Sequence, residues 1–457
     1  MVVHPNEVLA SIEPLAHPPK KVCPGQTPLT QQAKLKLATG LTNLSTYLLL
    51  DNTFTAAMSS QENPAIARFR DYLRVNTMQP EPDYQKCMDF LSKQATELGL
   101  PYQIIESAPG KPNIVVTVKG TDPSLPSILL NSHTDVVPVF REKWSVDPFE
   151  AVKRDDGYIL ARGSQDMKCV GWSYFEAIRV LLSEGWTPKR TVHMSFVADE
   201  EIGGQLGMKL LVNKQEFKDL NVGFALDEGI ASPKDTLRVF YGERAPWWVK
   251  VVSTGQTGHG SQLIIEDNAT LKLMKVINKF MEYRADQEHK LIHGIDGRKV
   301  ELGDVNTVNL TMLNAGVQFN VVPQEAWAGF DIRVSPRTDI QQFKQMLIDM
   351  AESEPGVKLE FVTFFGSNKL TPINDGNQWW ETVTNVAKQH NITLEPEIFP
   401  AATDSRYLRE IGIPAFGISY LKNVPILLHD HDERIHQDEF LEGIPFYRDL
   451  IRQVAEL

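Results

Sequence analysis

The chain has 457 residues, and its 46 lysines and arginines against 58 aspartates and glutamates give a formal net charge of −12. This acidic balance argues against a nucleic-acid-binding surface, which needs a basic footprint. Hydrophobic residues make up 42% and charged residues 23% of the chain, which is typical of folded domains and excludes a largely disordered chain. The length predicts two domains.

The cysteines and the apolar runs bear on where the protein works. Cys23, Cys87 and Cys169 form no Cys-x-x-Cys pair, so the sequence predicts neither a disulfide framework nor a thiolate zinc site. No apolar run reaches the roughly 18 residues that a membrane-spanning helix needs. We therefore expect a cytoplasmic protein that does not bind membranes.

Residues 1–60 differ in composition from the rest of the chain. They contain three acidic residues and a Pro-Pro pair followed by two lysines. A secretory signal would place its apolar core closer to Met1, after a basic start. The sequence predicts a weakly ordered extension here, with a targeting segment as the alternative.

From residue 61 onward, helical and strand patterns alternate. One helix is predicted to begin at Pro64, which suits a first helical position, and another runs from about Asp83 to a stop at Gly99. Further strands are predicted at Ile114–Val118, Ile128–Leu130, Val192–Val197 and Phe224–Leu226, and helices at Tyr174–Ser183 and Gly207–Leu220. This alternation predicts a mixed, mostly parallel sheet covered by helices on both faces.

A second unit is predicted within the first. Its elements are a strand at Trp247–Ser253, a helix at Asn268–Tyr283, strands at Thr307–Leu313 and Ala326–Val334, a helix at Ile340–Ala351 and a strand at Val357–Val362. That β-α-β-β-α-β order is the ferredoxin-like motif. A helix at Trp380–His390 and a strand at Ala415–Leu421 then return to α/β character. The predicted boundaries are 1–60 for the extension, 61–244 and 364–457 for the larger domain, and 245–363 for the inserted α+β unit.

Polar side chains follow three of the predicted core strands. His133 and Asp135 follow the first, Glu200 and Glu201 the second, and Glu228 the third. Taken alone, an acid after a strand is more often a helix cap, and a Glu-Glu pair is more often a solvated helix start. Because the carboxyl ends of parallel strands meet at one edge, however, these groups would repel one another unless a cation lies between them. Imidazole with carboxylate favours zinc.

The spacing within two of these groups carries further information. His133 and Asp135 are two residues apart on an extended segment and point the same way, so Asp135 is expected to accept the His133 N–H and orient the ring. In the Glu200–Glu201 pair, one carboxylate can hold a metal while its neighbour takes a proton from water. The sequence also contains no Gly-x-Gly-x-x-Gly after a strand and no Walker loop, which argues against a nucleotide-binding α/β domain.

From about Pro64 to its end, the chain resembles a family of di-zinc exopeptidases and deacylases. This family includes carboxypeptidase G2, succinyl-diaminopimelate desuccinylase and acetylornithine deacetylase, and it has a zinc-exopeptidase fold with an inserted lid. The matching stretches are Ser132–Pro138, Asp166–Cys169, Asp199–Gly204, Ala225–Gly229, Thr257–Ser261, Ala401–Arg406 and Leu428–Arg434.

The resemblance implies a role for each matching position. His133 and Glu228 would hold one zinc ion, Glu201 and His429 a second, and Asp166 would bridge them. Glu200 would be the general base. The resemblance also implies a cis peptide after Asp166.

The resemblance further implies that the inserted unit is a lid and a dimerisation surface. His259 would reach the partner's site and stabilise the oxyanion in a homodimer. Asn320 and Arg333 would bind the substrate, with Arg333 gripping its free carboxylate.

The implied activity is hydrolysis of N-acyl-L-amino acids, with aliphatic or methionine side chains, by a zinc-activated water. One alternative keeps the site and changes the substrate, giving a dipeptidase or carboxypeptidase. Another alternative is an inactive, zinc-holding binding protein. In such a protein we would expect a different residue at Glu200 or at one of the metal-ligand positions, and all of these positions match the family pattern.

Overall fold

A computed structural model describes residues 62–367 and 369–457, and the extension predicted for residues 1–60 lies outside the described residues. The α-helices are α1 (Pro64–Leu73), α2 (Tyr84–Glu97), α3 (Lys168–Ser183), α4 (Met208–Leu211), α5 (Gln215–Lys218), α6 (Ala269–His293), α7 (Ile340–Ala351), α8 (Gln378–Gln389), α9 (Ser405–Glu410) and α10 (Gln437–Glu456). The strands are β1 (Tyr102–Ala108), β2 (Lys111–Val118), β3 (Ser127–His133), β4 (Val152–Lys153), β5 (Tyr158–Leu160), β6 (Val192–Val197), β7 (Val222–Asp227), β8 (Thr236–Glu243), β9 (Ala245–Thr254), β10 (Gly258–His259), β11 (Thr307–Ala315), β12 (Val321–Val322), β13 (Glu325–Val334), β14 (Val357–Thr363), β15 (Thr393–Phe399), β16 (Ala415–Ile418) and β17 (Arg434–His436).

Eight strands form the large sheet, in the order β1-β2-β6-β3-β7-β16-β8-β15. The neighbours β6–β3, β3–β7, β7–β16 and β8–β15 are parallel, and the other three pairs are antiparallel. Ile128 and Leu130 of β3 pack into one hydrophobic cluster, and Leu129 between them packs into another. Since alternate residues of a strand face opposite sides, both faces of the sheet are covered. The predicted mixed, mostly parallel sheet is confirmed.

The inserted unit has its own antiparallel sheet in the order β11-β13-β9-β14. Helices α6 and α7 pack on this sheet, and its buried residues form a core of their own around Trp247, Phe280 and Phe343. In chain order the strands are arranged 4-1-3-2, as the ferredoxin-like motif predicts.

The predicted helix at Gly207–Leu220 is instead divided into α4 and α5. The Asn213 side-chain amide donates to the main-chain oxygen of Lys209, and the Asn213 main-chain N–H turns to Leu210. Asparagine side chains compete with helical backbone bonds in this way, and the helix does not continue through this residue.

Three central parallel strands, β6, β3 and β7, end at the same edge of the large sheet. β3 and β6 are fully buried along their whole length. Their carboxyl ends therefore fix the chain firmly where the predicted site residues begin. No helix in the described part of the chain is long and apolar enough to cross a membrane.

Candidate metal centre and active site

His133, the last residue of β3, has its ring fixed by the main chain. Its Nδ1 donates a hydrogen bond to the main-chain oxygen of Asp135 at 2.9 Å, which leaves Nε2 with a lone pair. That Nε2 faces Asp166 Oδ1 at 3.0 Å and Glu228 Oε2 at 3.6 Å. A lone pair surrounded by carboxylate oxygens needs a cation between them.

Asp166 lies between the two imidazoles. Its Oδ1 faces His133, and its Oδ2 lies 3.2 Å from His429 Nε2. His429 Nε2 also lies 3.0 Å from Glu201 Oε2. Each imidazole therefore faces two carboxylates, and Asp166 gives one oxygen to each group, as a bridging ligand of two metals would. The Asp166–Met167 peptide is cis, as the resemblance implies.

The distances and the donor atoms fit a pair of metal ions. Bonds of ~2.0–2.1 Å in a tetrahedral site place ligand atoms roughly 3.3 Å apart, and the four distances here run from 3.0 to 3.6 Å. The second oxygen of Glu201, Oε1, is buried without a hydrogen-bond partner among the described residues. All five predicted ligands come together here.

The electrostatics of the cluster show the same demand for positive charge. Burial raises the pKa of Glu228 well above its usual range and that of Glu201 to about 7, and in both the charge of Asp166 adds to the rise. Hydrogen bonds to Asp166 and Glu201 raise the pKa of His429 to about 10. Without metal ions, protons would have to supply the charge that the carboxylates require.

The carboxylate of Asp135 has different hydrogen-bond partners from the one predicted. Its carboxylate lies 3.7 Å from His133 Nδ1, because the nearer main-chain oxygen of the same residue takes that hydrogen bond. The carboxylate instead accepts the main-chain N–H groups of Glu200 at 3.1 Å and Glu201 at 3.2 Å, together with the Gln79 amide at 2.8 Å. It orients the Glu-Glu turn as well as the histidine segment.

Glu200 begins the short 3₁₀ turn Glu200–Ile202 that follows β6. Its carboxylate belongs to a group with His133 and Glu228 whose ligand atoms all lie within 4.8 Å of one another. On its other side, Oε1 lies 4.0 Å from Arg406 Nη1. Geometry alone thus places Glu200 at the metal cluster and leaves two roles open to it, as a ligand or as a base.

Two supporting groups were not assigned a role from the sequence. Glu433 accepts the main-chain N–H groups of Gly163, Gln165 and Asp166, and Arg162 donates to it at 2.7 Å. It therefore fixes the loop that carries Asp166. Its place in the Leu428–Arg434 stretch was the signal that could have revealed this role.

The second supporting group holds the other side of the Glu-Glu turn. The main-chain oxygen of Gly203 accepts the Tyr407 hydroxyl at 2.7 Å and Arg406 Nη2 at 2.8 Å. Gly203 has φ of +93°, which glycine adopts without strain. The turn is thus held by Asp135 at its start and by α9 at its end.

The three predicted residues of the inserted unit lie in two different places. His259 in β10 pairs with Val321, and Gly260 next to it donates to the main-chain oxygen of Asn320. His259 and Asn320 are therefore neighbours at one exposed tip. Arg333 lies elsewhere on β13, where Asp331 holds its guanidinium through two hydrogen bonds of 2.9 and 3.1 Å.

Comparison with known proteins agrees with this geometry. Residues 129–453 match Peptidase family M20/M25/M40. The chain belongs to this family. It is 51% identical to aminoacylase-1 of Mus musculus over 397 residues, which cover 87% of this chain and 96% of the mouse protein.

Solved structures of the M20 family share the fold. An M20 metallo-carboxypeptidase from Sulfolobus solfataricus superimposes with a TM-score of 0.66 at 18% identity, covering 86% of this chain and all of that one. A Bacillus subtilis protein described as a dinuclear metal-binding M20 peptidase gives a TM-score of 0.61 at 17% identity, covering 86% of this chain and 97% of that one. The predicted fold class and the predicted family are confirmed.

Proposed function

We propose that this chain hydrolyses N-acyl-L-amino acids, especially N-acetyl aliphatic amino acids and N-acetyl-L-methionine, to a carboxylate and a free L-amino acid. The observation that carries the proposal is the pair of imidazole Nε2 atoms, each facing two carboxylates, with Glu200 beside them. The similarity to aminoacylase-1 supports the substrate class.

The metal is proposed to be zinc, with two ions per subunit. His133 and Glu228 would hold one ion, Glu201 and His429 the other, and Asp166 both. Imidazole and carboxylate ligands suit zinc, and the four carboxylates of Asp166, Glu200, Glu201 and Glu228 balance two dications. When bound, the ions would polarise the acyl carbonyl and lower the pKa of a water towards ~7.

Glu200 is proposed as the general base. It takes a proton from the water that attacks the acyl carbonyl, and it gives this proton to the nitrogen as the carbon–nitrogen bond breaks, so that the free amine leaves. Asp135 orients Glu200, because its carboxylate accepts a hydrogen bond from the Glu200 main-chain N–H.

Turnover on a matched set of substrates tests the activity. We expect N-acetyl-L-methionine to be hydrolysed faster than L-alanyl-L-methionine, because the proposed substrate carries a neutral acyl group where the dipeptide has an ammonium. Chelation should abolish turnover, and elemental analysis should return two zinc ions per subunit. Preference for the dipeptide would favour the peptidase alternative, and absence of turnover on both would favour the binding-protein alternative. Activity that survives complete metal removal would overturn the mechanism.

The inserted unit is proposed as a lid and a dimerisation surface. Its edge strand β11 has no neighbour on one side in the described sheet, and Met312 and Leu313 on that strand are exposed. Phe319, Leu263 and Ile264 at the tip are exposed too. Exposed apolar patches of this kind mark interaction sites, and an open sheet edge favours pairing.

In the proposed dimer, His259 stabilises the oxyanion of the partner's active site. His259→Ala should lower turnover about 10²- to 10³-fold, as loss of one oxyanion donor does. Mixing His259→Ala subunits with Glu200→Ala subunits should restore activity, because each mixed dimer then contains one intact composite site. Failure of the mixture to recover activity, in a sample that sedimentation shows to be dimeric, would contradict action across the dimer.

We also propose that the protein is cytoplasmic. Cys87 and Cys169 are free and buried, which fits a reducing compartment. Subcellular fractionation tests this location. Recovery of the protein in a vesicle or organelle fraction would contradict it.

A further inference from the structure

A cavity of about 520 Å³ lies where the inserted unit meets the large sheet. Charged residues of α6 and β13 in the inserted unit line the cavity, together with Pro400 and Ala401 of the larger domain. Arg244 also lines it, and this residue lies between β8 and β9, where the chain passes from the large sheet to the inserted unit. Its volume is within the range of small-molecule sites. None of the proposed metal ligands lines it.

The charges that line the cavity do not balance. Arg333 is held by Asp331, and Arg284 by Glu288 at 2.8 Å. Arg244 is the third lining cation, and within residues 62–367 and 369–457 no carboxylate oxygen approaches its guanidinium within 4.0 Å. Its neighbour Glu243 is engaged by Arg409 at 2.7 Å. The cavity thus has one surplus positive charge.

Arg244 is buried, with only 4% of its surface exposed. Its Nε donates to the main-chain oxygen of Pro400 at 2.7 Å, and Nη1 makes two longer bonds, to Val305 and Thr307. No described residue accepts a hydrogen bond from Nη2. Burial lowers the pKa of Arg244 to about 10, and the charge of Arg333 adds to the fall. The charge of Asp331 opposes this fall in the pKa, but Asp331 does not contact Arg244. A buried arginine that no carboxylate contacts is costly, and an anion at Nη2 would lower that cost.

One stretch of chain contacts both the cavity and Glu200. Pro400 and Ala401 line the cavity, and Arg406 in the helix α9 that follows them lies 4.0 Å from Glu200 Oε1. The main-chain N–H of Thr403 in this stretch donates to Glu243, the residue before Arg244. The same stretch of chain therefore links the surroundings of Arg244 with those of Glu200.

We propose that Arg244 binds the free carboxylate of the substrate together with Arg333, and that it adds a positive charge which no carboxylate of the cavity lining balances. This inference rests on the proposed function and assigns a second carboxylate-binding residue to it. Nε and Nη1 of Arg244 already donate to protein oxygens, so Nη2 is the donor left for a single charge-assisted hydrogen bond to a carboxylate.

The test compares N-acetyl-L-methionine with its uncharged C-terminal amide. In Arg244→Gln, KM for the acid should rise about 10- to 100-fold, as expected for loss of a buried charge-assisted hydrogen bond, while KM for the amide stays unchanged. Arg244→Lys, which keeps the charge, should fall between wild type and Arg244→Gln. Arg238→Gln is the matched control, since Arg238 is a β8 arginine paired with Glu397 outside the cavity, and its KM for both substrates should equal that of wild type.

An equal rise in KM for acid and amide, or no rise for the acid, would overturn the inference. If Arg244→Gln does not fold, as judged by circular dichroism, the Arg244→Lys variant carries the same comparison. A wild-type protein that hydrolyses neither compound would instead count against the proposed function. Calorimetry would then measure the binding of N-acetyl-L-methionine and of its amide to wild type and to Arg244→Lys. Tighter binding of the acid by wild type, reduced in Arg244→Lys, would support the inference, and equal binding of the two compounds would overturn it.

Discussion

Glu200→Ala is expected to lower kcat about 10²- to 10⁴-fold, the range for loss of a general base, while the protein keeps both metal ions. The main-chain N–H of Glu200 would still donate to Asp135, so the turn should hold its shape. Glu201 would continue to face His429. Metal content per subunit and kcat for N-acetyl-L-methionine, measured on the same sample, check both parts.

The metal content also decides between the two roles that geometry leaves open to Glu200. Its carboxylate is grouped with those of potential ligands, so a ligand role predicts loss of metal from the variant. Glu201→Ala is the matched control, because it removes the adjacent carboxylate and should lose metal together with activity. Turnover of Glu200→Ala within tenfold of wild type would rule out the base role.

Asp166→Ala is expected to release metal from both positions and to abolish turnover. Asp166 is the residue that faces both His133 and His429, so no single remaining side chain can bridge the two groups. The variant should also lose the thermal stabilisation that metal binding gives the folded state. Elemental analysis and melting curves with and without a chelator check this, and the Tm of the variant should not respond to the chelator.

A suitable control for Asp166 is Asp430→Asn. Asp430 is exposed and is next to His429 in the chain, but its side chain accepts a hydrogen bond from the main chain of His431. Metal content and turnover should match those of wild type. Retention of two ions by Asp166→Ala would contradict the bridging assignment.

The proposed ligands at strand ends could be predicted because the sequence itself marks them. In β3, apolar Ile128–Leu130 leads directly into the buried polar residues Asn131–His133, and such a change from apolar to polar residues marks the carboxyl end of a core strand, where sites form. His429 has no such local signal. It lies in a loop with φ of +62°, and only the resemblance of its stretch pointed to it.

The strands that were missed are mainly those at the sheet edges. β1 and β15 are the outermost strands of the large sheet, and most residues of both are exposed or only partly buried. β15 contains Pro396 between two glutamates, a pattern typical of a loop. Proline is tolerated in an edge strand because one side of the strand needs no hydrogen-bond donor.

The hydrogen-bond partners of individual site residues could not be predicted, because a sequence pattern does not show which atom of a residue makes a contact. The spacing of His133 and Asp135 correctly placed the two residues on one segment. It could not distinguish the main-chain oxygen of Asp135 from its carboxylate as the acceptor for the ring. It also gave no reason to connect Asp135 with Glu200, which β6 brings next to β3.

The proposed ligands are spread from the end of β3 to a loop close to the C-terminus. During synthesis, a ribosome would release His133, Asp166, Glu201 and Glu228 well before His429 and before Glu433, which fixes the Asp166 loop. A nascent chain therefore carries a concentrated group of acidic side chains that no metal pair can yet neutralise. In the proposed site, the ion held by His133, Glu228 and Asp166 has all its ligands before the second ion gains His429, so the pair is completed last at the His429 position.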